Sequence, residues 1–359
     1  MDKKAIMKNM GSMQQVAYVR PLTFTEGYVN SCRAYSVKNG PLQFLVMTDK
    51  CLDISECSYK GININFLSKP GLIGRNHFDT HGEEALRSIM GGLFFTCGLE
   101  NICSPCTDSG KEFPMHGRLR STPAEHVCAD ALWENGQYIL RLQGEMREAE
   151  LFGENLLLRR TIQTEYGSRS ITITDEIENC GFRDEVMMLM YHFNAGYPLL
   201  CEGARIILPS IEALPRDDIS KAGLNHWDIM DAPKDNAPEQ VFIHYLAKDK
   251  NGRSFGAVIN DTINLGLLLE FDTHYLPLFM EWKSTASGDY VIGLEPANSS
   301  VYGRLKQKEQ GLHMLAPFAK ERIELQITIL EGSDEIQAIC QRAKNLIHST
   351  SAVCSHSVK

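Results

Sequence analysis

The segment LLLRRTIQTEYGSRSITITDEIEN, residues 156–179, restricts the fold of this chain more than any other. Ile171, Ile173, Asp175 and Ile177 fall on one face of an extended chain, and Thr172, Thr174 and Glu176 on the other. A period of two belongs to a strand with one buried face. The turn Glu165–Ser168 contains Gly167, so the segment predicts a β-hairpin.

Comparable strand patterns recur at 43–48, 62–67, 138–143, 185–194, 205–208, 241–246, 263–271, 290–295 and 323–330, many separated by turn residues. Helical spacing is convincing only near the C-terminus. There Ser333 can cap a helix opening with Asp334 and Glu335, followed by Ile336, Ile339, Ala343 and Ile347. A short helix over 3–19, stopped by Pro21, makes 1–20 an expected helical extension. The organisation expected is a β domain over 21–331, a C-terminal helix over 332–348 and a polar, disordered tail over 349–359. Many strands, few helices and no βαβ alternation predict an all-β fold, one large antiparallel β-sandwich.

With 359 residues the chain can bury a sizeable core, and 43% hydrophobic with 23% charged residues is a globular composition. No apolar run approaches the roughly 18–20 residues of a membrane span, and Met1, Asp2, Lys3 and Lys4 do not begin a signal peptide. A net charge of −9 without a long basic run argues against nucleic acid as a partner. The 11 cysteines are scattered and read as reduced thiols of a cytoplasmic protein. Cys103-Ser-Pro-Cys106 is the one CxxC, and with no second pair at zinc spacing it reads as a loop with two incidental thiols.

Three segments carry candidate chemistry. In the strand 185–194, which runs into LMYHFNAGYPLL, residues 189–200, Val186, Met188, Met190, His192 and Asn194 point one way, while Met187, Leu189, Tyr191 and Phe193 point the other. The second set suits a core; the first turns polar at its C-terminal end, as if that end opened into a cleft. Taken alone, His192 reads as a satisfied structural histidine. In KEFPMHGRLRSTPAEH, His116 precedes Gly117, whose missing side chain lets a ligand approach the backbone. In SGDYVIGLEPANSS, Glu295 ends a strand with bare Gly293 on the same face, leaving room for a ring-shaped substrate.

With TDKCLDISECSYKGININFLS, MGGLFFTCGLENICSP and DEIENCG, these segments resemble the galactose mutarotase-like (aldose 1-epimerase) superfamily, most closely its DUF4432-type branch, over about Lys50 to Glu331. The resemblance implies a β-supersandwich and an isomerase that interconverts the anomers of a free or anionic monosaccharide. It implies His192 as general acid, His116 as a ligand near the ring oxygen and Glu295 as general base. The chemistry requires no metal or organic cofactor: a carboxylate and an imidazolium open and reclose the hemiacetal.

Further candidates for sugar binding are Asn194, the polar turn Asp49, Lys50 and Asp53, Trp282 as a stacking ring, and Arg118 toward an anionic group. The superfamily's substrate-binding aspartate has no secure match; the candidates are Asp217 and, beside it, Asp218 in LPRDDIS. MHGRL differs from the two glycines that follow the histidine in the family's well-known members, which places Arg118 where they carry a small residue. Lys283 reads as a surface cation, and His226, His244 and His274 as structural or surface residues. The partner expected is a small carbohydrate, with no nucleic acid and no membrane, for a monomer or homodimer. The alternatives are a sugar-binding protein without turnover and a metal-dependent sugar isomerase.

Overall fold

The computed structural model describes residues 3–74 and 82–356, with side chains through residue 350. Two antiparallel sheets dominate it. The first, of 11 strands, runs in the order Tyr18–Thr23, Arg33–Lys38, Leu42–Met47, Asp53–Tyr59, Phe94–Leu99, Met188–Ala195, Asp289–Ala297, Leu278–Ala286, Gln240–Leu246 and Ser210–Pro215, with Ile62–Asn63 attached to Asp53–Tyr59. The second, of 8 strands, runs Arg205–Ile207, Arg253–Asn260, Leu265–Asp272, Lys320–Glu331, Ser170–Asn179, Asn155–Glu165, Gln137–Ala149 and Glu125–Glu134.

The hairpin expected at 156–179 lies near the middle of the second sheet, with Leu158 opposite Ile177 and Ile162 opposite Ile173. Its isoleucine face meets Phe44, Val46, Leu189, Tyr191 and Phe193 of the first sheet in the main core. Tyr191 and Phe193 are therefore core residues. Asp175, on the same face as the isoleucines, is reached by Arg160 at 2.8 and 2.6 Å and by the Tyr191 hydroxyl at 2.8 Å. A buried acid among isoleucines is tolerated because a guanidinium and a phenol satisfy it.

The other face of the first sheet carries its own apolar floor of Leu45, Met47, Phe95, Cys97, Met188, Met190 and Met280. Alternation along Met188–Ala195 thus divides one strand between the main core and this far face. The expected single strand over 185–194 is broken: Glu185–Val186 pairs with Met314–Leu315, outside the large sheets.

The termini depart from expectation. Only Lys3–Met7 forms an α-helix, and Tyr18–Thr23 is a strand that takes in Pro21. Proline is acceptable there because the strand lies at the sheet edge, where an absent N–H breaks no internal ladder. The last helix spans Ser333–His356, past the expected limit at 348, so a disordered tail from 349 does not match it; 357–359 lie outside the described residues. Ile336, Ile339 and Ala343 seat this helix on Phe255, Ala257 and Leu268, the outer face of the second sheet.

Candidate functional site

Two neighbouring strands supply the centre of the site. Met188–Ala195 pairs with Asp289–Ala297, with Phe193 opposite Leu294 and Asn194 opposite Gly293. His192 and Glu295 therefore stand side by side on the far face. His192 Nε2 lies 2.9 Å from Glu295 Oε1, with side-chain exposures of 12% and 4%. The approach is not aligned as a hydrogen bond, so Glu295 Oε1, like His192 Nδ1, is buried with no hydrogen-bond partner. Gly293 permits this closeness: a Cβ there would stand 2.7 Å from both Glu295 Oε1 and His192 Cε1. The bare position thus accommodates the imidazole and the carboxylate themselves.

His116 is brought in by a loop that crosses the end of Phe94–Leu99. Its carbonyl accepts from Gly98 N at 3.2 Å, and its N–H donates to Cys103 O at 2.9 Å. Gly117 has φ +72°, and a Cβ on it would lie 2.1 Å from Gly98 O and 2.7 Å from Asn101 O. The glycine after the histidine therefore admits the neighbouring backbone rather than a ligand. The His116 ring lies 6.3 Å from that of His192, and Phe95 meets both edge-on at 6.1 and 6.3 Å. Burial first, then the His192 and Arg120 charges, push the His116 pKa down to about 3, so this ring is neutral near pH 7.

Trp282, opposite Gly293 on the next strand, sets its ring 5.3 Å from His192. Its Nε1 donates to Glu239 at 2.8 Å, and Arg216 holds the same carboxylate at 3.0 Å. Asn194 is buried; its Nδ2 donates to Gly92 O at 3.1 Å and its Oδ1 has no partner. The far face continues past Phe66, whose ring contacts Trp282, into a groove of about 800 Å³ lined by Phe24, Gln43, Glu56, Phe66 and Tyr290.

Two cations also reach this region. Ala124 N donates to Thr48 O at 2.8 Å and Cys51 N to Thr122 O at 2.9 Å, pinning the Lys50 turn against the segment that follows His116. Lys50 and Arg120 are only 4% and 2% exposed. Burial, then the Arg120 charge, lowers the Lys50 pKa to about 8, and burial lowers that of Arg120 to about 10. Arg120 Nη1 donates to Ser88 Oγ at 3.1 Å, while Nε and Nη2 are buried without partners.

The structure thus brings together His192, Glu295, His116, Lys50, Asn194 and Trp282 and directs the other candidates elsewhere. Asp53 is fully buried toward the main core, accepting from Arg160 Nη1 at 2.8 Å and Thr96 Oγ1 at 2.6 Å. Burial raises its pKa to about 6 against the pull of Arg160 and Thr96. Asp49 is clamped by Arg33 at 2.6 Å. Cys51 and Leu52, at φ +54° and +52°, turn the chain between Lys50 and Asp53, so strand alternation does not carry across. Asp217 caps the helix Asp218–Gly223, accepting from Ser220 N at 2.8 Å. Its pKa falls to about 2, with the Ser220 N–H as the main cause.

Arg118 is held by Glu100 at 2.8 Å and by Glu112 O at 2.9 Å, in a network with Lys111. Sequence reasoning misses Arg120, two residues away. The 3₁₀ turn Leu119–Ser121 buries Leu119 and, at three residues per turn, points Arg118 and Arg120 about 240° apart. Lys283 is buried, not a surface cation; its Nζ donates to His226 O at 2.6 Å and Ile229 O at 2.5 Å. His244 is also buried, with Nε2 3.2 Å from Glu281. Among the described residues, no group of three His, Cys, Asp or Glu side chains could hold a metal ion, and no helix is long and apolar enough to cross a membrane.

The family model "Domain of unknown function (DUF4432)" matches residues 29–329. No curated protein sequence matches the chain. A solved Klebsiella pneumoniae protein described as a "putative aldose 1-epimerase" superposes with a TM-score of 0.88 at 24% identity, over 92% of this chain and 87% of that one. A galactose mutarotase-like protein from Clostridium acetobutylicum superposes at 0.60 with 12% identity, over 88% of this chain and 99% of that one. Galactose 1-epimerase from Lactobacillus acidophilus gives 0.57 at 12% identity, over 88% and 100%. At these identities the structural likeness establishes the fold. The chain belongs to the DUF4432 family and has the galactose mutarotase-like fold.

Proposed function

We propose that the protein is a mutarotase-like isomerase that interconverts the anomers of a monosaccharide by acid–base ring opening. The observation that carries this is the His192–Glu295 pair, 2.9 Å apart on the far face, beside an aromatic ring and a second histidine. In the forward step the Glu295 carboxylate takes the proton of the anomeric hydroxyl while the His192 imidazolium protonates the ring oxygen. The bond from C1 to the ring oxygen breaks and a carbonyl forms at C1. Rotation about C1–C2 turns the other carbonyl face inward. Neutral His192 then takes back the hydroxyl proton as that oxygen attacks C1, and Glu295 returns its proton to the new anomeric oxygen.

His116, held neutral by its burial, is suited to hydrogen-bond the substrate rather than to act as the acid. Trp282 offers a ring face for the sugar, and Asn194 a buried carbonyl oxygen as acceptor. The described cysteines are free thiols, which accords with a cytoplasmic location. Saturation-transfer NMR over a panel of neutral and anionic aldoses tests the reading. The expected result is anomer exchange above the spontaneous rate, falling about 10²–10⁴-fold in Glu295→Gln while the fold is retained. Exchange at the spontaneous rate for every sugar would refute the enzymatic reading.

A further inference from the structure

Three arginines of this chain show what a free guanidinium edge normally receives here. The Nε and Nη2 atoms of Arg160 grip both oxygens of Asp175 at 2.8 and 2.6 Å. The same two atoms of Arg205 grip Asp261 at 2.7 and 2.8 Å, and those of Arg33 grip Asp49 Oδ1 at 3.1 and 2.6 Å. This edge presents two parallel N–H groups that match the oxygen spacing of a carboxylate or another oxyanion.

In Arg120 the same edge is empty. The residue is 2% exposed, Nη1 is anchored by Ser88, and Nε and Nη2 have neither a protein partner nor access to solvent. Lys50, at 4% exposure, is pinned beside it, and among the described residues its ammonium has no hydrogen bond or ion pair. The acids nearest to it in sequence are engaged elsewhere, Asp49 by Arg33 and Asp53 by Arg160. Glu295, on the same far face, is already against His192. Asp53 and Asp49 act on Lys50 only at a distance, and burying two cations without a directly paired acid is unfavourable unless an anion joins them.

We propose that Lys50 and Arg120 form an anion subsite, so that the sugar received by the His192–Glu295 pair is a negatively charged monosaccharide bearing a carboxylate, phosphate or sulfonate group. The word "sugar" here rests on the mutarotase reading; the subsite rests on the empty guanidinium edge and the unpaired ammonium. Ser88 keeps Arg120 oriented, and the edge supplies two charge-assisted hydrogen bonds, with the Lys50 ammonium as a third donor. His116 and His192 lie on the Arg120 side of the site, close enough for its charge to act on His116.

The test compares sugars that differ only at C6: glucose, glucuronate, glucose 6-phosphate and 6-deoxy-6-sulfoglucose. Calorimetric affinities and NMR anomer exchange are measured on the full chain and on Arg120→Gln, Arg120→Lys and Lys50→Gln, with folding checked by circular dichroism. At least one anionic sugar is expected to bind tenfold or more tightly than glucose, and which one does so separates the three oxyanions. Arg120→Gln is expected to reduce that preference about 10- to 100-fold, and Arg120→Lys to restore part of it, because charge remains without the paired edge. The wild-type preference decides the matter if a variant does not fold. Glucose binding as tightly as all three anionic sugars, or no binding of any of them at millimolar concentration, overturns the subsite. Anion-selective binding without anomer exchange would instead retain the subsite and remove the mutarotase reading.

Discussion

At the scale of single residues, the site depends on what is missing at position 293. A methyl group there would meet Glu295 Oε1 and His192 Cε1, both at 2.7 Å, on a strand whose backbone otherwise tolerates alanine. Gly293→Ala is therefore expected to separate or reorient the two groups while the sheet survives. Anomer exchange should fall at least tenfold, with circular dichroism unchanged; full activity in a folded variant would show that the 2.9 Å contact is not needed.

The same scale shows what sequence could and could not reveal. His192 and Glu295 were legible because each stands near the C-terminal end of a strand pattern of period two beside apolar residues, and the family resemblance joined them. Their physical contact was not legible, since Phe193↔Leu294 pairing is a long-range register. Asp217 shows a signal available but not read: an aspartate followed three residues on by Ser220, before a short helix, is the N-cap pattern. Arg120 was hidden because a 3₁₀ turn, not a strand, follows His116.

At the scale of elements, one buried ionic group ties the two sheets together. Arg160, on Asn155–Glu165, bonds Asp175 within its own sheet and reaches across to Asp53 Oδ1 at 2.8 Å and Cys51 O at 2.8 Å. Its side chain and both carboxylates are essentially unexposed. Replacing it by Arg160→Met leaves two buried acids uncompensated and is expected to cost about 3–5 kcal/mol in chemical denaturation. A loss below about 1 kcal/mol would mean the two acids find other relief. The hairpin and the C-terminal helix were readable because one apolar face met one core. Leu278–Ala286 escaped that test because Glu281 and Lys283 occupy buried positions, where a search for apolar alternation rejects them.

At the scale of the whole molecule, stability should respond to pH through His116. Its folded pKa of about 3 lies below the value near 6.5 expected for an unfolded histidine. The unfolded chain therefore binds a proton that the folded chain refuses, so this contribution is intact above pH ~6.5 and is lost as pH falls toward 3. His116→Gln removes this dependence. Wild type is expected to lose stability relative to the variant by up to about 1.4 kcal/mol per pH unit, the limit for one proton, over that window. Parallel denaturation series between pH 7 and pH 4 would check it, and coincident slopes would contradict it.

The two-sheet architecture was legible from alternation and turn residues, and although both faces of the first sheet are apolar over most of their length, the polar end of the His192 side of its strand marked the face that holds the chemistry. That face is where the central claim stands: Glu295 and His192 act as one acid–base unit. The direct measurement is the NMR anomer-exchange rate of an accepted sugar in wild type, Glu295→Gln, His192→Asn and the double variant. The double variant is expected to be no slower than the slower single variant, because either change disables the same unit. Losses that multiply in the double variant, or a single variant that exchanges at the wild-type rate, would contradict it.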